Sequence, residues 1–435
     1  MGFISLGCAK NLVNSEQMMF LLREAGYEAT GETDGADAVV LNTCGFIESA
    51  KTEAIETIIE LGQLKKKGRF RRLIVAGCLP ERYKNEILEE MPEIDAAVGV
   101  GGFDDIVKVV TNTLNSNDKI LLFGDINSPV SETGRIISTS PAWAYLKIAE
   151  GCDNRCAYCV IPDIRGRFRS RPLPNIVNEA RGLTARGIKE LIIVAQDVTR
   201  YGLDLYGKPC LTELLRELSC IKRLKWIRLH YLYPDLISEE LIDVIAENDK
   251  ILKYLDIPIQ HINDGILKSM RRRGAGGDIR SLFKHLRESI PGLVLRTSII
   301  TGLPGEGEKE FEELALFLRE MKIERVGVFS YSPEEGTTAA LMERPDSEVA
   351  ARRAEILADI QSIVLDEFNQ SRIGSETTVL IEGRDTESCY YGRSFAESPD
   401  VDGYIKVIGD NLPVNEFIQV RFTGAEDGQL VGTNV

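Results

Sequence analysis

Short apolar runs separated by amphipathic stretches, repeated in two series along one chain, constrain this sequence more than any other feature. In the first series the apolar runs are residues 3–6, 38–41, 73–76 and 96–98. Helical patterns at 15–25, 48–64, 80–91 and 103–114 lie between and after them. Runs too short to be helices, alternating with helices, predict parallel strands joined by crossovers. Residues 1–115 are therefore expected to form a doubly wound parallel α/β domain. Residues 116–141 lose the periodicity and collect Asn, Ser, Thr, Gly and Pro, which predicts a linker holding one short strand at 120–123.

The second series places strands at 144–149, 190–195, 226–230, 254–259, 294–300 and 326–331, again with helical patterns between. Six strand–helix units fall short of the eight of a closed barrel, so residues 142–370 predict an open, partial (β/α)6 barrel. A long charged helix over 347–370 leads out of it. From 371 to 435 the pattern changes to strands at 377–381, 404–407 and 417–422 with Gly-rich turns. That segment predicts a small antiparallel β-barrel of OB-like type. The chain as a whole is thus a multidomain α/β protein.

Hydrophobic residues make up 43% of the chain, ample for buried cores. No apolar run approaches the about 18 residues of a membrane span, and the first residues lack the pattern of a secretory leader. A cytoplasmic location with no membrane partner is expected. The formal net charge of −15 argues against a general nucleic-acid binder. Nine cysteines in a reducing compartment suggest thiolates and metal rather than disulfides.

Three of those cysteines, Cys152, Cys156 and Cys159, occupy the stretch directly after the first barrel strand. The carboxyl ends of barrel strands are where such folds place active sites. Structural zinc wants four ligands, commonly in paired C-x2-C elements. Three thiolates with no fourth Cys or His nearby suit a four-iron cluster that leaves one iron open to a small molecule. Three more cysteines share one context: Cys8, Cys44 and Cys78 each come just after an apolar strand. In a parallel sheet they sit on one edge, the edge where open α/β sheets bind ligands. Buried small hydrophobes are the alternative, since free Cys is often core. Cys210, Cys220 and Cys389 follow neither pattern and are expected to be unligated thiols.

The C-x3-C-x2-C loop after a first barrel strand resembles the radical S-adenosylmethionine superfamily. That resemblance implies S-adenosylmethionine on the open iron and a 5′-deoxyadenosyl radical as the working species. It also implies Tyr158 and Gln196 as cofactor contacts. The polar strand ends at 196–197, 258–261 and 301–306 are expected to complete the pocket, while His230, His261 and His285 read as structural.

Two cysteine triads in one chain, with a small C-terminal β-barrel, resemble the methylthiotransferase family over essentially the whole length. The resemblance implies two 4Fe-4S clusters, the second providing or carrying the inserted sulfur. It also implies an electron donor such as flavodoxin or ferredoxin. One branch of the family modifies adenosine in transfer RNA; another modifies the β-carbon of an aspartate in the twelfth small-subunit ribosomal protein. Cys8-Ala9-Lys10-Asn11 resembles the ribosomal-protein branch, although Ala9 stands where that branch has Pro. Tyr391-Gly392-Arg393-Ser394-Phe395 with Pro399, Asp402 and Gly403 also resembles that branch's C-terminal domain, called TRAM.

Charge points the same way. Residues 371–435 carry five Lys or Arg against eleven Asp or Glu. An RNA-gripping domain should be basic, whereas an acidic one suits a basic ribosomal protein. Basic runs at 65–72, 165–171 and 271–273 keep RNA binding as the alternative; most read as solvated faces. The second run follows the cysteine loop and alternates as a strand would, so part of it is expected to border the site. An electron-transfer iron–sulfur protein would account for the cysteines but not for the barrel around them.

Overall fold

The structure is a computed structural model that describes residues 1–426 and 428–435. Its first sheet holds β1 (Gly2–Ser5), β2 (Ala38–Thr43), β3 (Arg72–Gly77), β4 (Ala96–Val98) and β5 (Ile120–Leu122), side by side in sequence order. Every neighbouring pair is parallel. Alternate residues feed two apolar cores. Val39, Leu41, Leu73 and Val75 pack with Ala54, Ile58 and Leu61 of the helix Glu48–Lys66 on one face. Val40, Ile74 and Val98 pack with Met18, Leu22 and Val109 on the other. Helices therefore cover both faces of the sheet, as a doubly wound domain requires.

Two features depart from the sequence reading. The strand expected inside the linker is the edge strand of this sheet, with Ala96 paired to Ile120. Its three residues are half-exposed or exposed and flanked by polar turns, so its sheet membership was invisible locally. The first helix, α1 (Ala9–Glu24), begins well before residue 15, immediately after Cys8. Its first turns carry Lys10, Asn11, Asn14 and Ser15, which break the apolar period, yet all four are buried. The polar side chains of those turns face the functional site, while Ala9, Leu12 and Val13 pack against Trp143 and Tyr145.

The second sheet is open. It runs β6 (Trp143–Lys147), β9 (Glu190–Val194), β10 (Trp226–Leu229), β11 (Ile251–Asp256), β12 (Val294–Thr301), β13 (Arg325–Ser330), all parallel. A two-stranded ribbon, β7 (Ala149–Glu150) with β8 (Arg169–Ser170), brackets the cysteine loop. Leu191, Ile193, Leu229, Leu255 and Leu295 point outward into one large core with the surrounding helices. The other face of the same strands carries Glu190, Arg228, Tyr254 and Arg296, and the C-terminal domain covers it.

That domain is a closed barrel ordered β14 (Glu376–Thr386), β15 (Cys389–Arg393), β16 (Ile405–Ile408), β18 (Gln429–Asn434), β17 (Phe417–Glu426). The helix Ser347–Arg372 leads into it. The connection from β15 to β16 is a plug pushed against the inner face of the second sheet; Ser394, Ala396 and Ser398 are fully buried. Arg228 donates to the carbonyl of Phe395 at 2.8 Å, and Tyr254 Oη to Asp402 at 2.5 Å. His230 Nε2 lies 2.8 Å from Ser398 Oγ. Arg325 and Arg372 close on the Glu397 carboxylate at 3.0 and 2.6 Å. The segment singled out in the sequence by Arg393, Ser394, Phe395, Pro399 and Asp402 is this plug.

Candidate active site

Cys8, Cys44 and Cys78 follow β1, β2 and β3, three adjacent strands of one parallel sheet. A glycine stands beside each cysteine, and each glycine lets a backbone approach. A Cβ at Gly7 would lie 2.8 Å from Cβ of Cys44, and one at Gly45 would lie 2.9 Å from Cα of Leu79. Gly77 adopts a φ of +104°, and a Cβ there would meet Oδ1 of Asn42 at 2.3 Å. The three loops are thus packed backbone to backbone, which no larger residue would permit.

Asn11, fully buried in the first turn of α1, ties the loops together. Its Nδ2 donates to the carbonyls of Leu6 at 3.2 Å and Thr43 at 2.9 Å. Its Oδ1 faces the Cys78 thiol at 3.6 Å. Asn42 Nδ2 in turn donates to the Asn11 carbonyl at 2.8 Å.

The triad is electrostatically coupled. Burial, together with the Cys78 and Cys8 thiolates, pushes the Cys44 thiol up to about 12. Burial also raises Cys78, against the pull of the Arg165 guanidinium. Burial works upward on Cys8 as well, but the Lys10 ammonium and Arg165 outweigh it and hold this thiol below its usual value.

The second triad lies on the loop after β7, at the carboxyl end of the first barrel strand. Gly151 has a φ of +78°, and a Cβ there would lie 2.0 Å from the carbonyl of Arg167, so the β7–β8 ribbon can close tightly at the foot of the loop. Asn154 anchors the loop's middle, donating to buried Asp197 at 2.8 Å. Its own N–H points to Cys152 Sγ at 3.5 Å. Burial and the neighbouring Cys156 raise the Cys152 thiol to about 11, and they raise Cys159 as well. Arg272 Nη1 donates to Tyr158 Oη at 3.3 Å and stands 3.9 Å from Cys156 Sγ. This arginine belongs to the basic run at 271–273, so that run is not wholly a solvated face.

Gln196 is at the end of β9, where the sequence placed it. Its Nε2 donates to Glu150 at 2.7 Å, and its Oε1 is buried without a partner. Glu150 also accepts from Lys147 at 2.9 Å and from Arg165 at 2.8 Å. Arg165, from the basic run at 165–171, is only 1% exposed and reaches across to the N-terminal triad, with Nη2 3.4 Å from Cys78 Sγ. His261 is fully buried against Glu306 at 3.3 Å, and Glu306 holds Gly302 N–H at 2.9 Å, which secures the loop after β12.

Among the described residues, no three Cys, His, Asp or Glu side chains close around the point a single ion would occupy. Each triad is nonetheless near enough for its thiols to feel one another. A polynuclear cluster spreads its thiolates over several irons, so it suits this donor set better than one ion does. The upward pull of burial on most of these thiols fits as well, because bound metal removes that cost by holding thiolates deprotonated. Cys210, Cys220 and Cys389 are free, with the first and last buried elsewhere in the fold.

Sequence reasoning quoted Asn11 only within a family resemblance, without a role, and missed Glu150 and Lys147. The one signal that could have found them was their position, within three residues of a cysteine or of the strand leading to one.

Comparison with known proteins follows the same three parts. Residues 1–99 match the family described as Uncharacterized protein family UPF0004, residues 146–318 the Radical SAM superfamily, and residues 373–435 the TRAM domain. Among solved structures, the radical S-adenosylmethionine methyltransferase TsrM from Kitasatospora setae, with tryptophan and a SAM analogue, aligns with a TM-score of 0.55. It is 15% identical, with 94% of this chain and 80% of that chain covered. The cobalamin-dependent enzyme OxsB in its apo form aligns at 0.52 with 12% identity, covering 82% and 56%. These likenesses establish the fold: this is a radical SAM protein carrying an N-terminal UPF0004 domain and a C-terminal TRAM barrel.

Curated relatives narrow the class. Ribosomal protein uS12 methylthiotransferase RimO of Acetivibrio thermocellus is 47% identical over 99% of this chain and 97% of the relative. The protein of the same name from Caldanaerobacter subterraneus subsp. tengcongensis is 48% identical, covering 99% of each chain. The chain belongs to the ribosomal protein uS12 methylthiotransferase RimO family. No helix among its described residues is long and apolar enough to cross a membrane.

Proposed function

We propose that this chain is a methylthiotransferase acting on ribosomal protein uS12, placing a methylthio group on the β-carbon of an aspartate. The observation that carries this reading is the pair of cysteine triads on adjoining domains, in a chain similar over its whole length to enzymes of that name. Cys152, Cys156 and Cys159 would hold one 4Fe-4S cluster with an open iron, and Cys8, Cys44 and Cys78 a second. When bound, the barrel cluster and S-adenosylmethionine supply the radical that takes hydrogen from an unreactive carbon, while the second cluster supplies the sulfur.

The protein's own residues hold and orient. Asn154 and Asp197 fix the cysteine loop. Tyr158 and Gln196 are proposed to border the cofactor. For Gln196 the supporting observation is its buried, unpartnered Oε1. For Tyr158 it is the contact with Arg272, which also faces Cys156. Asn11 and the flanking glycines gather the second triad.

The acidic C-terminal barrel favours the protein substrate over RNA. Arg393, one of its five basic residues, is buried in ion pairs with Glu190 and Glu382 and offers no charge to RNA. Flavodoxin or ferredoxin would be the electron donor, and a ribosomal-protein substrate implies work in the cytoplasm.

The test is direct. Reduced, reconstituted enzyme with S-adenosylmethionine and uS12 should add one methylthio group to an aspartate, read by peptide mass spectrometry. Unchanged peptide together with 2-methylthioadenosine in transfer RNA would overturn the substrate assignment.

A further inference from the structure

Arg165 ends the helix Ile161–Arg165, a few residues beyond Cys159, yet it serves the other triad. Its Nη2 donates to Cys78 Sγ at 3.4 Å and to Asn11 Oδ1. Its Nη1 donates to Glu150 at 2.8 Å. Glu150 stands two residues before Cys152, so one guanidinium links a thiol of the N-terminal triad to the strand that launches the barrel triad.

The buried charges show why this arginine is not simply the partner of Glu150. That carboxylate already has a buried ammonium, Lys147 at 2.9 Å. Lys147, Glu150 and Arg165 are each no more than 5% exposed, so the three charges meet out of reach of water. Lys10, also buried, adds a further cation and lies over the Tyr231 ring at 3.6 Å. Among the described residues, Arg165 is the cation that hydrogen-bonds a thiol of the N-terminal triad. A buried cation that hydrogen-bonds a ligand sulfur favours the more negative oxidation state of the metal group, and the low-polarity surroundings strengthen the effect. The planar fork of Arg spans sulfur and carboxylate together; the single ammonium of Lys cannot keep both geometries.

We propose that Arg165 is a positioning residue that raises the reduction potential of the cluster on Cys8, Cys44 and Cys78, and fixes that cluster in register with the barrel site. This rests on the ligand assignment made above. The test uses the full chain with Cys152, Cys156 and Cys159 replaced by Ala, so that only the N-terminal cluster contributes. The parent, Arg165→Gln and Arg165→Lys are reconstituted anaerobically. Iron is counted and the cluster is titrated by electron paramagnetic resonance.

Arg165→Gln is expected to keep its iron and shift the midpoint to more negative potential, with Arg165→Lys between it and the parent. In the complementary background, with Cys8, Cys44 and Cys78 replaced, Arg165→Gln should leave the barrel cluster's midpoint where it was. An unchanged N-terminal midpoint at full iron overturns the proposal, as does an equal shift in both clusters. Should Arg165→Gln lose its iron, Arg165→Lys decides: a shifted midpoint supports tuning, while an unshifted one, or loss of iron here too, leaves only a structural role and refutes it. A parent that binds no iron would instead sink the ligand assignment, a result the two backgrounds keep separate.

Discussion

Arg393 of the C-terminal barrel and Glu190 at the foot of the central sheet are both fully buried and meet at 2.8 Å. Arg228 approaches the same carboxylate at 2.8 Å, and Arg393 also reaches Glu382. Burial works to raise the Glu190 carboxyl, but Arg393 and Arg228 outweigh it and hold the group below the ordinary carboxylate range. Two domains are thereby joined through ions that water does not reach.

Removing one partner strands the others. Breaking a buried pair typically costs about 3–5 kcal/mol, because the remaining charge is left uncompensated. Arg393→Ala should therefore lower the thermal unfolding midpoint clearly, and Arg421→Ala, whose pair with Glu376 is half-exposed, should hardly move it. Differential scanning fluorimetry of the two variants provides the comparison.

Glu397 gives a pH signature. Burial pushes its carboxyl up, but Arg372 and Arg325 prevail and hold it at about 2. An unfolded glutamate titrates near roughly 4.3. A depressed folded value contributes stability that is complete above the unfolded value and is lost as pH falls from there towards about 2. Glu397→Gln should be less stable than the parent at neutral pH, and the gap should narrow across that acidic window. Urea midpoints at a series of pH values, followed by circular dichroism, would measure it.

Gly77→Ala should empty the N-terminal triad while sparing the barrel triad. The added Cβ would fall 2.5 Å from the Thr43 carbonyl at a φ of +104°, forcing the Cys78 loop away from the Cys44 loop. Gly68→Ala provides the control: φ is +75° there too, but nothing lies within 4 Å of the new atom. Iron content after anaerobic reconstitution should fall by about half in the first variant and stay whole in the second, on the assignment of two equal clusters.

The two triads should also separate by function. Cys156→Ala should abolish formation of 5′-deoxyadenosine and retain the N-terminal iron. Cys44→Ala should retain cofactor cleavage and stop sulfur transfer. Methylthiolated product from the Cys44→Ala protein would contradict the proposed sulfur source.

Much of this was legible in the chain itself. Strands such as Ala38–Thr43 and Glu190–Val194 are buried throughout and contain short apolar runs, which locate them. The cysteines were legible because each follows such a run. What stayed hidden depends on contacts across the chain. Arg165 looks like one residue of a basic stretch until the fold carries it to Cys78, 87 positions away. The start of α1 was obscured because polar residues share its buried face. Strand β5 was obscured because an edge strand needs little apolar surface. The plug after Arg393 could be recognised by its motif, but its task of filling the central sheet's inner face could not, since its partners are Arg228, Tyr254 and Arg325 on three separate strands.

That plug also decides which joint gives way first. The Arg393–Asp402 stretch occupies the inner face of the open sheet, held there by Arg228, Tyr254 and His230. A surface spent on fastening two domains together is not free to receive another molecule, so changes in this stretch should loosen the C-terminal barrel from the central sheet before they disturb either cysteine loop.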